Sequence, residues 1–303
     1  MQYKEMKMNK KNRILIIGAG GALGRTLMDL LNNRGECYLP LVKHSHKDIK
    51  NSIKCDIRDF NSVNKIIYKF KPTHVIHLAG ITGNYECEEN SKEAFQTNVF
   101  GTFNVLKSCL EIKPKIIFSS SREVYGNSRS KVNEKSKLNP INVNGITKMM
   151  SEDLILNYNK LYKIPYCIIR FTNFYGENFS KRGISKMIKI ALQNKKITVF
   201  GGKQEIDLIH FNDAAKGLLN VIDSKKAGIY NIGSGESKTI LELIHEIEKF
   251  SKKKIKFNRK KNRTFEVRNF KMDISKAKKD LGFKPSIKFQ DVLNQIPDKS
   301  MSK

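Results

Sequence analysis

Short blocks of consecutive apolar residues alternate along the chain with longer stretches in which apolar residues recur every three or four positions. The first block, Arg13–Ile17 (RILII), runs straight into a cluster of glycines. A continuous apolar run of this length reads as a strand buried on both faces. Residues 38–42, 73–78 (THVIHL), 115–118 (KIIF) and 166–170 (YCIIR) repeat the pattern. Between them, residues 22–31, 63–70, about 94–111 and 146–161 carry apolar residues at helical spacing. Strands alternating with helices of this length predict a parallel sheet covered on both faces. The fold class expected is α/β: a Rossmann-type, doubly wound sheet over residues 13–175.

Beyond residue 175 the rhythm loosens. Strand candidates at Ile197–Phe200, 205–211 and Gly228–Ile232 mix with helix candidates at 213–221, 239–250 and Ser275–Leu281. This reads as a smaller α+β lobe over 176–295, set against the carboxyl edge of the sheet, with chain crossing between lobes left open. Ligands of open α/β sheets bind at that edge. Residues 1–12 form a basic tail and 296–303 a second tail.

Composition narrows the class. Of 303 residues, 39% are hydrophobic and 28% charged, enough apolar material for a core. Lys and Arg number 57 against 29 Asp and Glu, a net charge of +28. The cations are spread along the chain, in runs no longer than Lys252-Lys253-Lys254, and no nucleic-acid motif accompanies them. No specific nucleic-acid partner is therefore expected, and a basic surface suits anionic small molecules. Five scattered cysteines (Cys37, Cys55, Cys87, Cys109, Cys167) contain no C-x-x-C pair, which disfavours a disulfide scaffold and a zinc ribbon. No apolar run approaches the ~18 residues of a membrane span. The first twelve residues lack the apolar stretch of a secretory signal. The location expected is the cytoplasm.

Candidate chemistry begins at Gly18-Ala-Gly-Gly21-Ala22-Leu23-Gly24, between a strand and a helix. Glycines there permit a tight turn and close backbone approach to a pyrophosphate, and the helix N-terminus supplies N–H groups and a positive dipole end. The predicted ligand is a dinucleotide, NAD(P). An acidic residue about 20 positions further on would hold the ribose 2′-hydroxyl of NAD. At the end of the second strand stands Lys43 instead, with Arg25 just past the glycines, which tips the expectation toward NADP. His44 and His46 lack a third ligand, so no metal site is expected.

Several longer motifs follow in a fixed order: Asp56-Ile57, His77-Leu78-Ala79-Gly80, Asn98-Val-Phe-Gly101, Ser119-Ser-Ser-Arg-Glu-Val-Tyr125-Gly126, Gly145-Ile-Thr-Lys148 and Arg170-Phe-Thr-Asn173-Phe-Tyr175-Gly176. With Tyr230–Gly235 and Arg263…Ala277, they make the chain, from about residue 13 to 292, resemble the extended short-chain dehydrogenase/reductases. These are NAD(P)-dependent nucleotide-sugar epimerases, dehydratases and reductases. The resemblance implies cofactor contacts at Gly18, Gly21, Ala22, Leu23, Gly24, Lys43, Asp56, Ile57, Leu78, Ala79, Gly80, Asn98 and Lys148. It implies substrate contacts at Asn173, Phe200 and Arg263, and a nucleotide-sugar substrate. Catalytic roles fall on Ser121, Glu123, Lys148 and position 144. A homodimer through the helices near 94–111 and 146–161 is implied as well.

Two departures stand out. Where the resemblance places a tyrosine base, four residues before Lys148, the chain has Asn144, and an amide is no general base near neutral pH. Ile206 stands where an arginine usually meets the diphosphate, leaving Arg263, with Arg182 as a possible helper. Three readings stay open. Another group takes the proton, first of all Glu123 in apolar surroundings that would raise its pKa, then Tyr125 or a water held by Lys148. Or the protein is a catalytically weak binder of cofactor and sugar nucleotide. Or it is a reductase or epimerase of an already oxidised keto-sugar.

Overall fold

The structure is a computed structural model that describes residues 12–176, 183–193, 195–252 and 254–294. Both expected tails, save residue 12, and Arg182 lie outside the described residues. Five strands fall on the expected apolar blocks: β1 (Arg13–Ile17), β2 (Cys37–Val42), β4 (His74–His77), β5 (Lys115–Ser121) and β6 (Tyr166–Phe171). A short β3 (Ile53–Lys54) and β10 (Gly228–Ile232) complete one seven-stranded sheet in the order β3-β2-β1-β4-β5-β6-β10. Every pair in it is parallel. In β1, four of five residues are buried because helices cover both faces.

The helices are amphipathic by sequence. In α1 (Ala22–Asn33) the buried set is Leu23, Gly24, Thr26, Leu27, Met28 and Leu31, one face of a helix. In α2 (Phe60–Phe70) Asp59 caps the N-terminus through Ser62 N, and Val63, Ile66, Ile67 and Phe70 face inward. The single helix expected over 94–111 is three pieces preceded by another: α3 (Asn84–Glu89), α4 (Ser91–Ala94), a π-helical turn (Phe95–Phe100) and α5 (Gly101–Ser108). The wide turn lets buried Thr97 and Asn98 reach the sheet edge. The longest helix, α6 (Val143–Tyr162), begins under Asn142, whose side chain accepts Gly145 N.

The smaller lobe holds β7 (Asn173–Tyr175), α7 (Gly183–Leu192), β8 (Ile197–Phe200), β9 (Glu205–His210), β11 (Ser237–Thr239), α9 (Ile240–Ser251), β12 (Phe257–Lys260) and α11 (Phe289–Asn294). Its sheets are β11-β9-β7 and β12-β8. It has its own core, with Ile184, Ile188, Ile197, Val199, Leu243, Ile247 and Phe289. One assignment changes. The candidates at 213–221, Gly228–Ile232 and Ser275–Leu281, read as parts of the smaller lobe, belong to the large one. Strand β10 pairs with β6, and α8 (Phe211–Asp223) shares the core of β1 and α1 with α10 (Ser275–Leu281). The reason is apolar area: Ala214, Ala215, Leu218 and Val221 are completely buried against that core.

Candidate active site

Strand order reverses between β1 and β4, and the loops leaving these strands meet. Gly18 has φ +90°, and a Cβ on it would stand 2.6 Å from Ala79 N. Gly24 is equally constrained, since a Cβ there would meet Ala19 Cα at 2.8 Å. The two glycines therefore do different work, one closing the loops on each other and one seating α1 against its own turn. A cleft of about 280 Å³ lies over them, lined by Gly18, Gly20, Gly21, Lys43, Asp56, Ile57, the 78–81 loop and Thr97, among others. Ala22, Leu23 and Gly24 stand one step behind the lining, with Leu23 in the core. The residues fit a dinucleotide: a backbone cradle without Cβ atoms sits at the N-terminus of α1.

The far end of the cleft is polar and paired. Lys43 Nζ lies 3.2 Å from Glu93 Oε1. Arg25 binds Asp48, Gly20 O at 3.1 Å and His46 Nδ1 at 3.2 Å. Arg58 forks onto Asp56, with Nη2 to Oδ2 at 2.5 Å, and this pairing holds the Asp56 carboxyl below the usual carboxylate range. Ile57 packs on Gly101, where a Cβ would collide with Ile57 Cδ1 at 2.5 Å.

Asn98 lies behind the cleft, not in its lining. Its Oδ1 accepts Ile81 N at 2.8 Å, and its Nδ2 donates to Ile81 O at 2.9 Å and Thr147 Oγ1 at 3.0 Å. It braces the loop that Leu78, Ala79 and Gly80 form. Lys148 stands beside that loop. A Cβ on Gly80 would be 3.5 Å from its Nζ, which donates to Ser119 O at 2.6 Å. Burial drives the Lys148 pKa down to about 8, although negative charge at Cys87 and Glu152 opposes the shift.

The end of β5 turns into a 3-10 turn, Arg122–Val124, capped by Ser121, whose Oγ accepts Glu123 N. Glu123 does not have the apolar surroundings expected for it. Its Oε1 pairs with Arg122 Nη2 at 3.0 Å, and its Oε2 accepts Asn142 Nδ2 at 2.7 Å and Asn84 Nδ2 at 3.1 Å. Asn144 donates from Nδ2 to Asn84 Oδ1 at 3.3 Å, and its buried Oδ1 accepts from nothing among the described residues. Tyr125 is no free base. Its hydroxyl donates to Asn231 Oδ1 at 2.7 Å, accepts Arg170 Nη1 at 2.9 Å, and is pushed up to about 12 by burial. Arg170 itself, first residue of the quoted signature, is a strut: 2% exposed, with Nη2 2.6 Å from Glu152 Oε2.

From the smaller lobe, Arg263 lays its guanidinium 3.8 Å from the Phe200 ring centre and 5.0 Å from that of Tyr85 in α3, so it bridges the lobes. Its Nη1 is 3.5 Å from Glu266 Oε1. Asn173 Oδ1 is buried and unpartnered among the described residues. Ile206 is buried in the small core. Its neighbour Asp207 instead anchors the next loop, accepting Ser234 N at 2.8 Å and Gly235 N at 2.9 Å.

Sequence reasoning missed four residues here. Asn84 and Asn142 were not read at all, although Asn142 carries a helix-cap signal. Arg122 was quoted only as part of a motif, yet it is buried with Nε and Nη1 unpartnered among the described residues, its guanidinium 4.9 Å from the Phe270 ring centre. Glu266 has a buried, unpartnered Oε2, and burial raises its pKa. Among the described residues no three or more His, Cys, Asp or Glu group as a metal site would need.

The model of the NAD dependent epimerase/dehydratase family matches residues 14–233. The chain belongs to this family. Among curated members, the UDP-N-acetyl-alpha-D-glucosaminuronate decarboxylase of Bacillus cytotoxicus is 32% identical over 94% of this chain and 96% of its own. UDP-glucuronate 4-epimerase 4 of Arabidopsis thaliana is 27% identical over 93% of this chain and 74% of its own. The UDP-glucuronic acid 4-epimerase of Bacillus cereus, solved with UDP-glucuronic acid and NAD, superposes with a TM-score of 0.86 at 27% identity. That match covers 93% of this chain and 96% of that one. The Rossmann-like parallel sheet is thus the fold of the epimerase/dehydratase family, and no described helix is long and apolar enough to cross a membrane.

Proposed function

We propose that this family member acts on a nucleotide sugar by NAD(P)-dependent hydride transfer at sugar C4, with Asn144 in the place of the usual tyrosine. The carrying observation is convergence. The carboxyl ends of β1, β4 and β5 and the first turns of α6 bring the cleft, Ser121, Glu123, Asn144 and Lys148 to one edge, and Arg263 reaches it from the other lobe. Position C4 follows the names of the 4-epimerase relatives. A dinucleotide bound in the cleft supplies the hydride acceptor. Gly18 and Gly21 would hold its pyrophosphate, Asp56 and Ile57 the adenosine end, and Leu78–Gly80 the nicotinamide ribose.

Ser121 accepts Glu123 N and keeps its own proton free for a sugar oxygen. Arg263, carried on Phe200, meets the diphosphate, with Asn173 beside it. Residues 144 and 148 share one helix face. The reacting hydroxyl therefore lies next to Lys148, and we assign the proton to its amine, by way of a bound water. A buried amine near pKa 8 titrates close to working pH. Glu123, with both oxygens engaged, anchors the site. Lys43 and Arg25 each already have an acidic partner, so neither cation expected at the 2′-phosphate of NADP stands vacant. The exposed Phe100, Leu161 and Tyr162 form the face on which we place the homodimer. Light scattering at micromolar concentration checks it.

The main test is native mass spectrometry with fluorescence titration of NAD and NADP against a panel of UDP-, GDP-, CDP- and dTDP-sugars. Bound dinucleotide plus one selected sugar nucleotide is expected. Absence of any dinucleotide binding overturns the reading. Turnover rises with pH through about 8 and is lost in Lys148→Met.

A further inference from the structure

A carboxylate can only accept, and the amides around Glu123 are oriented by that fact. Asn142 shows it first. Its Oδ1 accepts Gly145 N at 2.8 Å, which caps α6, so Nδ2 is the end left for Glu123 Oε2. Arg122, always charged, sits on the other carboxylate oxygen at 3.0 Å. Asn84 also gives its Nδ2 to Oε2. Turned over, it would set its own oxygen against the carboxylate, two acceptors with no proton between them. Asn84 Oδ1 therefore faces away, and it takes the N–H of Asn144 Nδ2 at 3.3 Å. With that amine committed, Asn144 Oδ1 is the atom left over. It is buried without a donor among the described residues, on a side chain of a residue only 6% exposed.

We infer that Asn144 acts as a hydrogen-bond acceptor of fixed direction, and that it selects the hydroxyl form of the reacting sugar carbon over the ketone. The chain Glu123–Asn84–Asn144 turns the amide so that its oxygen, not its nitrogen, is the atom without a partner among the described residues. A sugar hydroxyl donates to that oxygen in the resting complex, and its one proton turns to the Lys148-bound water only as the hydride leaves. A ketone, or a fluorine in the hydroxyl's place, sets acceptor against acceptor. Asn84 acts through the hydrogen bonds its side chain makes with Glu123 and Asn144 and is a positioning residue. The inference rests on the nucleotide-sugar reading above. It favours a reaction that starts by oxidising a hydroxyl over one that receives a keto-sugar.

The test is calorimetric binding to the full chain saturated with NADH, so that nothing is oxidised. The ligands are UDP-glucose, UDP-glucuronic acid and the 4-deoxy-4-fluoro analogue of whichever binds more tightly. The wild type is expected to prefer the hydroxyl by about tenfold, or about 1.4 kcal/mol. Asn84→Leu unpins the amide and brings the preference within about twofold, leaving NADH affinity unchanged, and Asn144→Leu removes the acceptor with the same result. Asn84→Ser serves if the leucine variant does not fold. Equal binding of hydroxyl and fluoro ligands by the wild type overturns the inference. So does a tenfold preference kept by a folded Asn84 variant. NADH binding with no affinity for these two ligands or for any sugar nucleotide of the wider UDP-, GDP-, CDP- and dTDP-sugar panel is a different pattern, and it removes the nucleotide-sugar reading together with this inference.

Discussion

The two halves of the site are made of different material. The dinucleotide cleft is mostly backbone and apolar side chain: glycines at the end of β1, a helix N-terminus, and the 78–81 loop braced from behind by Asn98. The side proposed for the sugar is a web of buried polar side chains, in which Arg122, Glu123, Asn84, Asn142 and Asn144 satisfy one another with few atoms left over. A backbone cradle depends on a few positions that must lack a Cβ. A side-chain web depends on every member, because losing one strands a buried partner.

The largest effect expected from this contrast lies under the polar half. Arg170→Met leaves Glu152 buried without its partner, an error of about 3–5 kcal/mol in a buried pair. Thermal and urea unfolding should show that loss while the cleft residues stay untouched. Next comes the backbone half. Gly18→Ala forces a Cβ against Ala79 N at a positive φ. Dinucleotide affinity should fall on the order of 100-fold, with a stability loss of about 1–3 kcal/mol. A titration showing unchanged NAD(P) binding would mean the loops separate more easily than their contact implies.

Lys148 joins the halves, and its pH signature sharpens the comparison. Its folded pKa, about 8, lies below the usual 10.5. The unfolded chain therefore holds the proton more tightly, and stability rises with pH between those values. Below pH 8 the burial penalty is fully present. Urea unfolding of the dinucleotide-free protein should show a steeper rise in wild type than in Lys148→Met, which is a few kcal/mol more stable at neutral pH and keeps the smaller rise due to half-buried Lys115. The smallest effect sits at the exposed rim. Glu93→Gln frees Lys43 and should move the NADP to NAD affinity ratio upward by about threefold, since exposed pairs contribute about 0–1 kcal/mol. Equal ratios before and after would show that Lys43 does not reach the ribose.

The same division decides what the amino-acid sequence made legible. Apolar blocks gave β1, β2, β4, β5 and β6 to within a few residues, because a strand buried on both faces must be apolar throughout. The glycine loop was legible because its chemistry is steric. The break of 94–111 into α4, a π-helical turn and α5 was not, since every piece keeps helical spacing. Nor was the membership of β10 in the large sheet, which depends on where its apolar faces find partners, and no local pattern carries that. Lys148 and Asn144 were singled out by their place in a motif. Asn84, some sixty residues from Asn144, was invisible because a hydrogen-bond chain across that separation leaves no periodicity. Glu123 was singled out, yet its surroundings were misjudged, because three of its four partners come from outside its own segment or from a residue read only as filler.

The return of the chain to the large sheet has a mechanical consequence. After β7 to β9 have entered the smaller lobe, α8 and β10 come back to cover α1 and to flank β6, and the chain then leaves again for β11, α9 and β12. Each lobe is thereby stitched to the other more than once, and neither corresponds to one uninterrupted length of polypeptide. A fragment cut at residue 175 would bare the open edge of β6 and the apolar flank of α1 to water. The protein should accordingly melt in a single cooperative step, with amide protons of β6 and of Asp207's loop exchanging through the same global opening.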